Sequence, residues 1–524
     1  MENESDAIAI EANSSRQIKK GVVIGYLSIA FNVISGLIYT PWMVRQIGQA
    51  DYGLFALAVS FISFLALDFG LGSAVTRFLC QYKARGDKEG AKRLLGLIFK
   101  LFLGISTLIF VVLVVAFFFI ENIYVKLTPE EIARFRVVFA VSGLFTVVSF
   151  GFKPLDGIIG ANERFIFSEL AALFHKVGVV VLMVAALLLG YGLYALVIVN
   201  AFVGLVVIAM KLFYVRKTTD DEIDFSGGDK ALVKEIAGFS FWTTLILIAQ
   251  RFILNITPTI LGIFAGSVQI AIFSVGHVFV GYTWTISSMV GSMFLPRITR
   301  ITIATGGTRK LEDLMIKVGR LELLVVGLIV FGFAAMGKEF VQLWMGSDFI
   351  NSYYVALLLI STLVISVTQS IANTMLVAKN KVKFGALSSL VTAGISIGMS
   401  VILSRTYGAV GAAAGIFAGF IGGILVSNIV YYKVLRLNIF RFFRECHLKM
   451  VVPLLLTLGF GFLMQYYFPV DNMFLFMVKA GVFAAVYSLL MWTMALNSYE
   501  KQLFSDTVNK ALHKLKRRSN ETID

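Results

Sequence analysis

The chain has 524 residues, 58% hydrophobic and 15% charged, with a mean hydropathy of +0.85. Soluble domains carry roughly 45–50% apolar and about 25% charged residues, so the composition excludes an ordinary soluble globular protein and points to a polytopic membrane protein. The net charge of +15 is distributed between apolar runs; without a long basic tail or an aromatic-basic repeat, it argues against nucleic acid as a partner.

Residues 1–19 are a polar tail, predicted cytoplasmic, whose opening Met1-Glu2-Asn3-Glu4-Ser5-Asp6 lacks the basic start of a signal peptide. A membrane helix needs ~20 mostly apolar residues. Spans 1–6 are predicted at 20–43, 52–75, 94–120, 133–153, 168–189 and 193–214. Spans 7–12 follow at 234–264, 268–295, 317–337, 353–377, 382–404 and 408–431, and spans 13 and 14 at 449–468 and 473–496. The short links at 190–192, 265–267, 405–407 and 469–472 predict antiparallel hairpins. The tail from Tyr499 to Asp524 reads as solvated and basic, with a short amphipathic helix on the inner membrane surface as the alternative.

Thirty-six Lys and Arg fall on one side of these spans, and six (Arg45, Lys126, Arg134, Arg136, Lys338 and Arg405) on the other. The positive-inside rule then puts both termini in the cytoplasm, which requires an even number of spans.

The first twelve spans are one six-span unit written twice, about 217 residues apart. Thr40-Pro41 matches Thr257-Pro258, and Tyr52-Gly53-Leu54-Phe55 matches Ile270-Ala271-Ile272-Phe273. Gly160-Ala161-Asn162-Glu163-Arg164-Phe165 matches Val377-Ala378-Lys379-Asn380-Lys381-Val382, and Tyr191-Gly192 matches Tyr407-Gly408. The expected fold is therefore all-α and polytopic, with about fourteen transmembrane helices. Residues 20–233 form one six-helix lobe with its following loop, 234–448 a second, pseudo-symmetric lobe, 449–496 two extra helices and 497–524 a basic tail. Internal repeats of this kind are a usual plan of secondary transporters.

No linker is longer than about 25 residues, so no soluble domain is available for catalysis. Gly332 to Lys338 fits a GxxxxGK pattern, but Glu339 stands where a phosphate loop needs Ser or Thr. Cys80 and Cys446 are expected as free thiols in cytoplasmic loops. No metal site, cofactor or enzymatic activity is expected. Gly411, Gly415, Gly419 and Gly423 share one face of span 12, where a neighbouring backbone can approach closely.

A charge at mid-bilayer costs about 2.5–3.5 kcal/mol on the lenient insertion scale. Arg251 lies well inside span 7, seven residues before Pro258, and is a candidate for a watery cavity or for a structural ion pair. Asp68 in span 2 and His277 in span 8 are candidates for ion coupling, against structural pairing for Asp68 and hydrogen-bonded packing for His277. Lys100, Lys176 and Lys479 are expected to snorkel to helix ends. Trp284, deep in span 8, is expected to pack or to line a cavity. Arg77 and Arg297 mark the cytoplasmic ends of spans 2 and 8, Lys153 ends span 4 beside Pro154, and Arg45 ends span 1. Cations at several depths suit an anionic head group, because arginine binds phosphate oxygens in a bidentate way.

Asp51-Tyr52-Gly53-Leu54-Phe55, Asp68-Phe69-Gly70-Leu71-Gly72-Ser73, Thr76-Arg77-Phe78 and Ala84-Arg85-Gly86-Asp87, in that order, resemble the opening of the polysaccharide-unit flippases. These belong to the multidrug/oligosaccharidyl-lipid/polysaccharide exporter superfamily. The resemblance implies two six-helix lobes around a cationic cavity, and two extra helices for the lipid tail. It also implies alternating access that carries an undecaprenyl-diphosphate-linked oligosaccharide to the outer leaflet of a bacterial or archaeal cell membrane. Implied partners are that lipid-linked oligosaccharide, membrane lipids, and a polysaccharide polymerase or glycosyltransferases. Many relatives carry an acid in span 7 where Thr257 stands here, which leaves Asp68 as the acidic candidate for coupling. The competing expectations are a cation-coupled drug or metabolite antiporter of the same superfamily and a membrane polymerase or ligase. The latter needs a large outer catalytic loop, which the short segment around 338–352 does not provide.

Overall fold

The computed structural model describes residues 2–67, 71–219, 221–225, 244–305, 308–379, 381–498, 500–502 and 505. The first eight helices are α1 Glu2–Ile47, α2 Gln49–Leu65, α3 Leu71–Ala84, α4 Lys88–Ile123, α5 Pro129–Gly151, α6 Pro154–Ala161, α7 Phe165–Leu188 and α8 Gly192–Thr218. Helix α9 covers residues 244–254, followed by α10 Thr257–Phe264, α11 Ser267–Thr305, α12 Thr308–Met345, α13 Asn351–Ser361, α14 Leu363–Ser366 and α15 Ser370–Ala378. Helix α16 Val382–Lys433, α17 Ile439–Phe442, α18 Lys449–Tyr467 and α19 Met473–Leu490 complete the chain, and no strand occurs among the described residues.

Among the described residues eleven helices are long and apolar enough to cross a membrane, against fourteen predicted spans. Three differences account for the gap. Helix α2, only 17 residues long, is short for a span. Helix α12 covers predicted span 9 but is not among the eleven; it carries Lys317, Arg320 and Glu322 within 317–337. The 52 residues of α16 hold two helical arms joined at Gly408, where φ is +53°.

The repeat is visible in the backbone. Gly48 (φ +87°) opens the turn into α2, and Gly266 (φ +89°) opens the matching turn into α11. Gly192 (φ +56°) and Gly408 (φ +53°) stand at the other matching pair of turns. Glycine adopts this left-handed geometry without the steric cost a β-carbon brings.

The helices pack into two compact units, residues 1–277 with 382–423, and residues 278–381 with 424–524. This packing divides the chain differently from the two copies of the repeat. In the first unit, α5 starts with a capping box: Thr128 accepts from Glu131 N, and Glu131 accepts from Thr128 N. The other Glu131 oxygen accepts from the Ser267 hydroxyl, which ties α5 to the start of α11. The two arms of α16 close on each other through small residues. A β-carbon at Gly411, Gly415, Gly419 or Gly423 would meet Leu403, Ser400, Ser396 or Thr392 at 2.2, 2.3, 2.0 and 1.8 Å. The glycine stripe therefore serves contact within its own hairpin.

The second unit is built on α12. Gly327 and Gly332 admit Tyr487 and Phe483 of α19, and Gly461 of α18 lies against Ala335 and Phe483. Two ion pairs fix the same helices. Near one end, Arg320 holds Glu500 at 2.5 Å and donates to the carbonyls of Glu445 and Ala495 at 2.9 and 2.6 Å. Nineteen residues along α12, Glu339 takes Lys479 at 2.7 Å and the Val470 amide at 2.8 Å. Lys479 is 4% exposed and also donates to Gln465 and Phe468 O, so it is a buried clamp and does not snorkel as predicted. Cys446 is likewise buried, within the π-helical turn Phe443–Leu448, where a cytoplasmic loop was expected.

Two stability outcomes follow. Gly415→Leu would force the arms of α16 apart; overpacking of this kind costs about 1–3 kcal/mol, and the melting temperature in detergent should fall below that of Gly398→Leu, a site open to space. Lys479→Met alone leaves a buried carboxylate uncompensated and should cost about 3–5 kcal/mol, whereas Lys479→Met with Glu339→Gln should recover most of that loss in the same melting assay.

Candidate functional site

Several predicted spans are broken where the sequence places prolines and polar residues. Span 2 is α2 followed by α3, with α2 ending at Leu65 and helix resuming at Leu71. Asp68 lies outside the described residues. Arg77 is exposed in the middle of α3, which runs on to Ala84. Span 7 breaks at residues 255–256, between α9 and α10. Pro258 has no N–H to offer the preceding turn. The Asn255 carbonyl is taken up by the Ser60 hydroxyl of α2 at 2.6 Å.

Arg251 lies one turn before this break and is half-buried. At ~1.5 Å per residue it stands about 20 Å from Phe264, the far end of α10. Its neighbour Phe252 packs edge-on against Phe64 of α2, with ring centroids 4.6 Å apart. Among the described residues Arg251 has no acidic partner.

Span 4 breaks at Phe152-Lys153, between α5 and α6, and here the first unit has a polar interior. A cavity of about 270 Å³ is lined by Lys153, Asp156, His175, Lys211, Ser149, Thr146, Ala66 and apolar neighbours. Lys211 pairs with Asp156 at 2.6 Å, and the Lys153 ammonium stands 5.4 Å from the Phe150 ring. Of the predicted cations Lys153 lines this cavity, joined there by Lys211 and His175. A larger groove of about 890 Å³ lies between α4, α5 and the end of α8. Its hydroxyls are already used: Ser106 donates to Val147 O and Thr107 to Leu103 O.

The remaining predicted residues are dispersed. Arg45 is exposed in the last turn of α1. Arg297 falls in α11, but its side chain is outside the described residues. His277 stacks on Phe273 with ring centroids 5.8 Å apart. Its Nε2 is buried without a partner among the described residues. Trp284 is 54% exposed, so it does not fill the interior of its unit.

In the second unit, span 10 breaks twice, at Thr362 and at residues 367–369. Around the second break Thr368 meets His447 at 3.3 Å, Gln369 donates to Asn428 at 2.8 Å, and Tyr431 donates to Asn373 at 2.9 Å. Glu322 of α12, 1% exposed, accepts from the Ser370 hydroxyl at 2.9 Å. Sequence reasoning missed this residue, although a carboxylate inside predicted span 317–337 meets the same criterion that singled out Arg251.

A family model described as polysaccharide biosynthesis protein matches residues 18–302, more than half of the chain. The chain belongs to the polysaccharide biosynthesis protein family. Its fold is similar to that of the lipid II flippase MurJ in an inward closed conformation, with a TM-score of 0.67 and 15% identity over 89% of this chain and 98% of that one. It is also similar to an inward-facing multidrug resistance MATE family transporter of the MOP superfamily, with a TM-score of 0.58, 16% identity and 75% and 95% of the two chains covered. The eukaryotic MATE transporter AtDTX14 follows at 0.55, 16% identity, and 83% and 98% coverage. At these identities the likeness establishes the fold of a multi-span membrane protein. No curated protein matches the sequence.

A water-facing position for Arg251 has a direct chemical readout. In a Cys80→Ser background, Arg251→Cys should react with a small charged thiol reagent at least tenfold faster than Leu261→Cys, which replaces a fully buried neighbour; equal rates would place Arg251 in packed protein.

Proposed function

We propose that this chain is a flippase that carries an undecaprenyl-diphosphate-linked oligosaccharide from the cytoplasmic to the outer leaflet by alternating access, supplying surface polysaccharide biosynthesis. The observation that carries this reading is Arg251, a half-buried cation beside a helix break, with no acidic partner among the described residues. A cation kept inside a membrane protein at this cost suits an anionic cargo. Arginine offers a fork of donors that matches a diphosphate. Membership of a polysaccharide biosynthesis family supports a sugar-bearing cargo, and the fold shared with a lipid II flippase supports a lipid-borne one.

In this reading Arg251, Arg77, Arg297, Arg45 and Lys153 hold the diphosphate at successive depths. Both termini are cytoplasmic, in a bacterial or archaeal cell membrane, where a polymerase or glycosyltransferases handle the same cargo. An organic cation, the cargo of the antiporter reading, would be repelled by these charges.

Complementation of a strain lacking its lipid-linked-sugar flippase tests the proposal. A hydrogen bond to a charged group is worth about 1.5–3 kcal/mol, so Arg251→Ala and Arg77→Ala should each lower surface polymer about tenfold or more at equal protein level. Full activity in both variants would sink the cationic route, and export of cationic dyes without polymer rescue would favour the antiporter.

A further inference from the structure

The two broken spans 4 and 10 occupy matching places in the repeat. Helix α6 (Pro154–Ala161) and helix α15 (Ser370–Ala378) both follow the break. Their chemistry differs. Lys153 and the Lys211–Asp156 ion pair stand at the break in the first unit, whereas the second has a carboxylate with no ion-pair partner among the described residues.

Glu322 belongs to the face of α12 that packs on span 10. One turn earlier, Gly319 lets α12 come so close that a β-carbon there would be 2.8 Å from the Thr368 carbonyl and 3.3 Å from Cys446 Sγ. One turn later, Val326 and Val330 pack with Ile360, Leu363 and Val367. An acid thus lies in this seam, between the close approach at Gly319 and the apolar cluster around Val326, facing the short non-helical segment 367–369.

Its charge is not matched within that seam. Ser370 supplies a hydroxyl, at 2.9 and 3.1 Å from the two carboxyl oxygens. Arg320, on the same helix, is fully engaged with Glu500 and the carbonyls of Glu445 and Ala495. From the turn at 443–448, Glu445 binds Arg441, the Cys446 thiol is buried, and His447 Nε2 faces Thr368 Oγ1 at 3.3 Å and Val364 O at 3.4 Å. From α16, Tyr431 spends its hydroxyl on Asn373. No cation among the described residues forms an ion pair with Glu322. An isolated carboxylate in such a place is strongly disfavoured and is relieved by taking a proton.

We propose that Glu322 is a proton-binding site, neutral while α12 and the break of span 10 are closed on each other, and ionised when that seam admits water. The proton leaves to water and returns from it, and Ser370 orients the carboxyl without titrating. Proton uptake is thereby tied to the closing of one seam. This inference goes beyond the proposed cargo and does not depend on it.

Infrared difference spectroscopy of the full-length protein in lipid nanodiscs, without any cargo, tests it. The wild type should show the carbonyl stretch of one neutral carboxyl that Glu322→Gln removes. Ser370→Ala should shift its frequency. The band should lose its intensity as pH is raised, while Glu322→Gln, which keeps the shape and the Ser370 bond, elutes like the wild type in size-exclusion chromatography. Identical wild-type and Glu322→Gln spectra overturn the proposal, because the carboxyl is then ionised throughout. A band that is present but never titrates overturns it too, because the group is then a fixed packing acid. Failure of polymer complementation with the infrared band intact would count against the proposed cargo alone.

Discussion

Inside a bilayer there is no water to satisfy a backbone amide, a carbonyl or a charge, so each must be satisfied by the protein itself. The rest of this structure follows from that constraint. Where spans 7 and 10 break, a side chain lies at a carbonyl beside the break: Ser60 on Asn255 and His447 beside Val364. Where charges are structural, they are over-satisfied, as with Lys479, which has three acceptors, and Arg320, which meets a carboxylate and two carbonyls. Against that standard, Arg251 and Glu322 stand out as groups without a charge partner among the described residues. Each lies beside a broken helix, where the backbone has a second way to arrange itself.

Duplication supplied the frame, and the copies then diverged in where they bend. Helix α1 runs through Pro41 without a break, whereas its counterpart stops at residues 255–256 before Pro258. Conversely, α11 is continuous for 39 residues, while the matching stretch of the first copy is divided between α2 and α3. Spans 4 and 10 retain a break at the same place but line it with Lys153 and a Lys211–Asp156 ion pair in one copy and with Glu322 and Ser370 in the other. Transporters built from repeats place their sites at such interrupted helices.

Much of the frame was legible in the sequence. Hydropathy located the spans, the repeat located the turns, and the four-residue glycine period located a close helix contact. What could not be read was which helix comes close: the stripe on span 12 faces span 11, a fact of the turn at Gly408. The role of Lys479 was misread because distance to a helix end says nothing of a glutamate 140 residues earlier in the chain. Position along a helix gives depth, but only packing gives direction. That is why Lys153 acquired Lys211 and His175 as neighbours from two other helices. Glu322 was overlooked although it lies inside predicted span 317–337; Lys317 and Arg320 just before it were counted with the cytoplasmic charges.

The two clamps on α12 have one more consequence. Nineteen helical residues at ~1.5 Å each put Arg320 and Glu339 about 28 Å apart, close to the ~30 Å of a hydrocarbon core. With α18 and α19 fastened at both ends, α12 cannot tilt or slide alone to suit its surroundings. The second unit therefore acts as a ruler for membrane thickness. A bilayer that differs from it must thin, thicken or tilt the whole unit, at a fraction of a kcal/mol per Å of mismatch. The lipids around this unit adapt to the protein.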